Sequence, residues 1–167
     1  MMAGHATRYR GWRGLTAGML MAGLAALSLL LPLQAYSDGL EILSRFSNGG
    51  EEMQVAVYTE GDETVGLVGI RGTDHKHVSI TFDKTEMLTF IGLVQKAGAI
   101  QSGNWVEVGS FDESQTSSPS HIVVYGGTSV QFSLTDPSIG SYNFVLDKGD
   151  IAGFMAALTQ AQGREKP

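Results

Sequence analysis

Two stretches decide the fold: residues 80–97, ITFDKTEMLTFIGLVQKA, and residues 144–161, FVLDKGDIAGFMAALTQA. Each starts in an apolar strand end, passes through Asp-Lys with a further acid three positions after the Asp, and finishes in an amphipathic run. Met87, Phe90, Ile91 and Val94 stand at i, i+3, i+4 and i+7, and Ile151, Phe154, Met155 and Leu158 repeat the pattern. That is the helical period. Asp83 and Asp147 occupy N-cap positions, with Glu86 and Asp150 three residues on. A capping Asp accepts hydrogen bonds from the free N–H groups of the first turn, and a second acid there complements the helix dipole. Gly98 and Gly163 read as stop signals. Paired carboxylates also suit acid–base chemistry, but capping accounts for their spacing in full.

Upstream of each helix the sequence reads as four strands. In the first half these are residues 40–46, 53–59, 65–70 and 78–82, separated by the turn residues Ser47-Asn48-Gly49-Gly50, Glu60-Gly61-Asp62-Glu63 and Gly72-Thr73-Asp74. In the second half they are residues 106–111, 122–125, 130–134 and 142–146. Residues 122–125 echo residues 55–58, which puts Tyr58 and Tyr125 at matching positions. Gly126-Gly127 reads as a tight hairpin turn, and residues 112–120, DESQTSSPS, as a flexible loop. The expected fold class is therefore α+β: two tandem ββββα repeats, each an antiparallel four-stranded sheet plus a C-terminal helix, packed as one pseudo-two-fold domain. The expected boundaries are a signal peptide at 1–37, repeats at 38–97 and 105–163, a linker at 98–104 and a disordered tail at 164–167. Residues 55–58 and 65–70 are apolar on both faces, so each unit is expected to cover the other's surplus apolar surface.

This order of elements resembles the tandem repeats of Pur-type proteins and the dimers of the Whirly group. The resemblance spans the mature chain and is one of topology, without a shared motif. It implies a two-unit domain; the single-strand nucleic-acid binding of those groups is not carried over, because charge and export oppose it.

The N-terminus supplies the export argument. Arg8, Arg10 and Arg13 form a basic region, residues 15–31 are apolar apart from small polar residues, and Ala35-Tyr36-Ser37 offers small residues at the −3 and −1 positions. This resembles a bacterial Sec-type signal peptide, which places the protein in the periplasm or outside the cell. The alternative is an uncleaved inner-membrane anchor over residues 15–33. After cleavage the chain holds 17 acidic residues against eight basic ones, a net charge of −9. Such a domain repels nucleic acid and anionic membranes. With no cysteine, its stability rests on a packed core rather than on disulfides.

Chemistry-bearing motifs are sparse. Asp74-His75-Lys76-His77, with His121 as a distant third imidazole, is the one arrangement that suggests a metal; a solvated hairpin tip explains it better, and no metal or cofactor is expected. No Gly-x-Ser-x-Gly, Ser-x-x-Lys or phosphate loop is present. Tyr58, Trp105 and Tyr125 are the candidate binding residues, since aromatic side chains anchor interfaces as well as cores. The expected function is a non-enzymatic exported module that binds a protein or envelope component. The alternative is a periplasmic enzyme or small-ligand protein with its site in the cleft between the repeats. A filled seam between the units favours the first reading, a deep polar cavity the second. The export reading predicts that the secreted protein begins at Asp38. Mass spectrometry of the exported form should find that terminus, and an intact chain in the membrane fraction would instead establish the anchor.

Overall fold

The computed structural model describes residues 39–113 and 118–165; the expected signal peptide and part of the serine-rich loop lie outside them. Strands β1 (Leu40–Asn48), β2 (Glu51–Glu60), β3 (Glu63–Arg71) and β4 (His77–Phe82) form one antiparallel sheet in sequential order, followed by helix α1 (Lys84–Ala99). Strands β5 (Val106–Asp112), β6 (His121–Gly126), β7 (Val130–Asp136) and β8 (Gly140–Leu146) form a second such sheet, followed by helix α2 (Ile151–Arg164). The eight strands and two helices read from sequence are all present, with most ends one or two residues further out.

Strand alternation sorts the side chains onto two faces. On the first sheet Met53, Val55, Val57, Val68, Ile70, Val78, Ile80 and Phe82 face inward and are buried. On the second, Ile122, Val124, Val130, Phe132, Leu134, Phe144 and Leu146 do the same. Both sets join one hydrophobic cluster together with Met87, Phe90, Val94 and Ala97 of α1 and Phe154, Ala157, Leu158 and Ala161 of α2. The first strand of each sheet carries a bulge, between Ile42 and Ser44 and again between Glu107 and Gly109.

The ladders correct one sequence equivalence. Val57, Gly66 and Phe82 lie in one row across the first sheet, and Gly126, Val130 and Leu146 in the corresponding row of the second. Tyr125 therefore corresponds to Ala56, and Tyr58 to Gly127. The local similarity of residues 55–58 and 122–125 is offset by two positions from the pairing register.

The helices are exchanged between the sheets. Helix α1 packs on β5 and β6, and α2 packs on β1, β2 and β3. Glycines make this possible. A Cβ at Gly126 would stand 2.7 Å from the Ala97 carbonyl oxygen at the end of α1. At Gly66, a Cβ would collide with Met87 and stand 2.7 Å from a Glu165 carboxylate oxygen beyond the end of α2. Gly126 thus ends a strand where a helix backbone passes close, and its φ is not positive. The hairpin-turn reading of Gly126-Gly127 gives way to a close approach; the turn itself is 127–129, closed by the Gly127 N–H donating to the Ser129 carbonyl at 3.0 Å.

Only one of the two expected caps forms. The Asp83 Oδ1 accepts from the Thr85 and Glu86 N–H groups, both at 2.8 Å, and the Glu86 carboxylate accepts from the Asp83 N–H at 2.8 Å, a complete capping box. Asp147 caps nothing. Helix α2 starts at Ile151, its N-cap residue is Asp150, and no side chain caps it. Three sequence differences explain the delay. Gly149 replaces Thr85 and disfavours the first helical turn. Asp150 is a methylene shorter than Glu86, so it cannot reach back to close a box. Lys148, unlike Lys84, reaches across to donate to the Ile100 carbonyl at the end of α1. The stop signals are also overrun: Gly98 and Gly163 lie inside helices that end at Ala99 and Arg164. Arg164 pairs with Glu41 of β1, and Glu165 is buried, so these two residues of the expected tail belong to the packed fold.

Replacing Asp83 by Ala is expected to cost about 1 kcal/mol of stability, while the same change at Asp147 costs close to nothing. Urea denaturation of the two variants checks this, and equal losses would restore the symmetric caps.

Candidate functional site

The seam between the two units is filled by aromatic side chains. Phe111 of β5 lies 5.0 Å, centroid to centroid, from Phe82 of β4, and Phe82 stacks at 4.8 Å on Phe90 of α1. Phe90 meets Phe132 of β7 at 6.1 Å, Phe132 meets Phe154 of α2 at 5.2 Å, and Phe154 meets Phe46 of β1 edge-on at 5.5 Å. The series crosses between the units three times. Each such pair adds roughly 0.5–1.5 kcal/mol beyond area burial. The place reserved for a cleft between the repeats is thus packed hydrocarbon.

Chemistry has to be sought on the outer faces, and the three aromatic candidates divide between them. Tyr58 lies on the outer face of the first sheet, across from Leu40 and Val65, and is only 8% exposed. Ala56 and Leu67 beside it are buried too. Burial raises the pKa of the Tyr58 phenol, with Glu60 adding to the effect. Tyr58 is thus largely buried against its neighbours on that face.

Trp105 and Tyr125 both lie on the outer side of the second sheet. Tyr125 is half-buried between Glu107 and Gln131. Trp105 is 46% exposed, and its indole lies against Gly127, where a Cβ would stand 3.1 Å from the ring. Gly127 is two residues beyond Tyr125, on the same face. The glycine leaves room for the ring to rest on the main chain with its remaining surface in solvent. The next row across this face reads Ser110, Val123, Ser133 and Asn143, and the one beyond it Asp112, His121, Thr135 and Ser141, with Asp112 and His121 paired.

The suggested metal cluster is not assembled. His75 sits in the β3–β4 turn at φ 65°, not on a strand, so it does not share a face with His77. The Asp74 carboxylate accepts from the Tyr142 hydroxyl at 2.8 Å, which holds its pKa below the ordinary value. His77 lies over Gly69 on the first sheet, where burial and then the Arg71 charge lower its pKa. His121 pairs with Asp112 at 2.7 Å. Among the described residues no group of three or more His, Cys, Asp or Glu side chains is placed to hold a metal ion. Also among the described residues, no helix is long and apolar enough to cross a membrane.

Two buried acids escaped the sequence reading. Glu113 accepts from the Thr81 N–H at 3.0 Å and from the Thr81 hydroxyl, covering the free edge of β4. Glu165 is only 3% exposed, and neither of its oxygens makes a hydrogen bond of good geometry. Desolvation and the nearby Asp83 charge raise its pKa from 4.5 to about 7, outweighing the Gly66 N–H and Lys84. Neither residue carries a motif; each is placed by the packing of one unit on the other.

No protein-family model matches the chain, and no curated protein matches it either.

The raised pKa of Glu165 sets a direction for stability against pH. Between pH 4.5 and about 7 the folded state holds a proton that the unfolded state has released. The stabilisation is complete below the unfolded value and disappears as pH rises through the folded one. Glu165→Gln should therefore be more stable than wild type at pH 8, with the gap shrinking as pH falls to 5. A gap that is independent of pH, measured by urea denaturation, would show that Glu165 is charged in the fold throughout.

Proposed function

We propose that this chain is an exported, non-enzymatic binding module that engages an envelope component through the outer face of its second sheet. The observation that carries this reading is the filled seam: six phenylalanines occupy the space between the units, where a ligand cleft would have been. The two ββββα units act as one domain with approximate two-fold symmetry, each helix bracing the other's sheet. This double bracing gives a stiff platform, and rigid elements hold a binding surface more closely than loops do. The platform presents Trp105 and Tyr125. Tryptophan and tyrosine are among the side chains that most often dominate binding energy. The acidic charge of the mature chain, −9, argues against nucleic acid and anionic lipid as partners.

Cosedimentation with washed cell envelopes tests this. The purified protein should be retained, and Trp105→Ala and Tyr125→Ala should each weaken retention by about tenfold or more. Leu88→Ala, at a site on α1 that is 54% exposed, should be retained like wild type. Equal retention of all variants would remove this face from the function.

A further inference from the structure

We infer that the outer face of the second sheet binds a neutral glycan. This rests on the reading that this face is the binding surface, and it assigns the chemistry of the ligand. The first observation is charge. Residues 101–147, which include all four strands of the second sheet, contain no lysine and no arginine. The acids in this stretch are largely engaged or displaced. Asp112 pairs with His121, Glu113 is buried against β4, and Asp136 accepts from the Ser138 and Ile139 N–H groups in the β7–β8 turn. Glu107 stands exposed on β5 directly across from Tyr125, and Asp147 is exposed just beyond β8. Among the described residues this face therefore has no lysine or arginine, and its carboxylates, Glu107 and Asp112, stand along β5 at its margin.

The second observation is what replaces charge. Ser110, Gln131, Ser133 and Asn143 point out from β5, β7 and β8, with Val123 of β6 between Ser110 and Ser133 and Val145 of β8 beside Gln131. Hydroxyls and carboxamides both donate and accept. A ligand that offers the same bifunctional, uncharged groups at close spacing is matched by this face, and a sugar chain is such a ligand. A pyranose ring has hydroxyls around its rim and C–H groups on its faces. Those C–H faces need a flat apolar partner, and the half-exposed Trp105 supplies one at the margin of the sheet. The indole rests on Gly127, so little of its freedom remains to be lost on binding.

Other ligand classes fit less well. Phosphate-bearing polymers and anionic lipid call for lysine or arginine, and this face has none. A protein partner calls for anchors set in desolvated pockets, with arginine enriched around them; here Trp105 stands half-exposed at the margin of the sheet.

Affinity electrophoresis of the purified protein tests the inference, in native gels cast with a soluble mixed-linkage glucan, galactomannan or dextran. At least one of these neutral polymers should retard the protein. Trp105→Ala and Tyr125→Ala should abolish the retardation, Asn143→Ala should weaken it, and Trp105→Tyr should restore most of the Trp105→Ala loss. Raising the salt concentration should leave it unchanged, since no counterions are released. Urea denaturation curves that match wild type would show that the variants fold. No retardation by any of the three polymers, or retardation that survives both Ala changes, overturns the glycan assignment. If envelope retention still depends on Trp105 in that case, the face is a binding surface for another partner and only the glycan chemistry fails. If neither assay depends on Trp105, the proposed function fails with it.

Discussion

The close approach of each helix end to the opposite sheet is the constraint on which the rest of the structure depends. The Ala97 carbonyl passes over Gly126, and Ala161 and Glu165 pass over Gly66. These glycines lie in corresponding rows of the two sheets, the rows that end at Leu146 and Phe82. Absence of a side chain there lets each helix descend far enough to bring Phe90 and Phe154 into contact with Phe132, so that the aromatic series closes across the seam. A β-carbon at Gly126 would meet main chain rather than a flexible side chain, and the main chain cannot swing aside. Exchange of the helices also means that neither sheet has its inner face covered without the other unit.

Polar contacts between the units set the orientation that hydrophobic burial alone leaves free. The Asn48 side chain donates to the Val145 carbonyl at 2.8 Å, and Tyr142 donates to Asp74 at 2.8 Å. Glu113 takes the Thr81 N–H, Lys148 reaches the Ile100 carbonyl, and Arg164 reaches Glu41. The exposed ones contribute little to stability individually. Their directionality selects one seating of the two units, since a slid arrangement would leave these donors and acceptors unmatched. The missing cap on α2 belongs to the same set: Lys148 is recruited to the end of α1 and is not available to continue a regular first turn.

The two halves have diverged in what they show to solvent. The first sheet has Ala56, Tyr58 and Leu67 buried on its outer face, whereas the second has Trp105, Tyr125 and a mixture of hydroxyl, amide, valine and acidic side chains. The inner faces stay alike because both must fill the same shared core. The outer faces are free of that demand, and it is there that a difference between the units, and so a function, can be carried.

Sequence by itself determined the elements. Strand alternation in residues 78–82 and 142–146, and the helical period from Met87 and Ile151, are local signals, so all eight strands and both helices were legible before any contact was known. The cap at Asp83 was legible for the same reason, since a capping box closes within four residues. Tertiary structure decided the rest. Asp147 stands in a similar Asp-Lys string yet caps nothing: Gly149 and the shorter Asp150 weaken the first turn, and Lys148 is held by a carbonyl 48 positions away in the chain. Tyr58 and Tyr125 sit in similar local strings and both lie on outer faces, but their rows and surroundings differ, so that Tyr58 is buried and Tyr125 only half-buried. Glu113 and Glu165 carry no local mark, and the local mark on Gly126 pointed to a turn and not to the close approach of a helix. Their roles exist only where a second unit approaches, and the energies involved, steric exclusion and the loss of solvent around a carboxylate, depend on distance in space and not on distance along the chain.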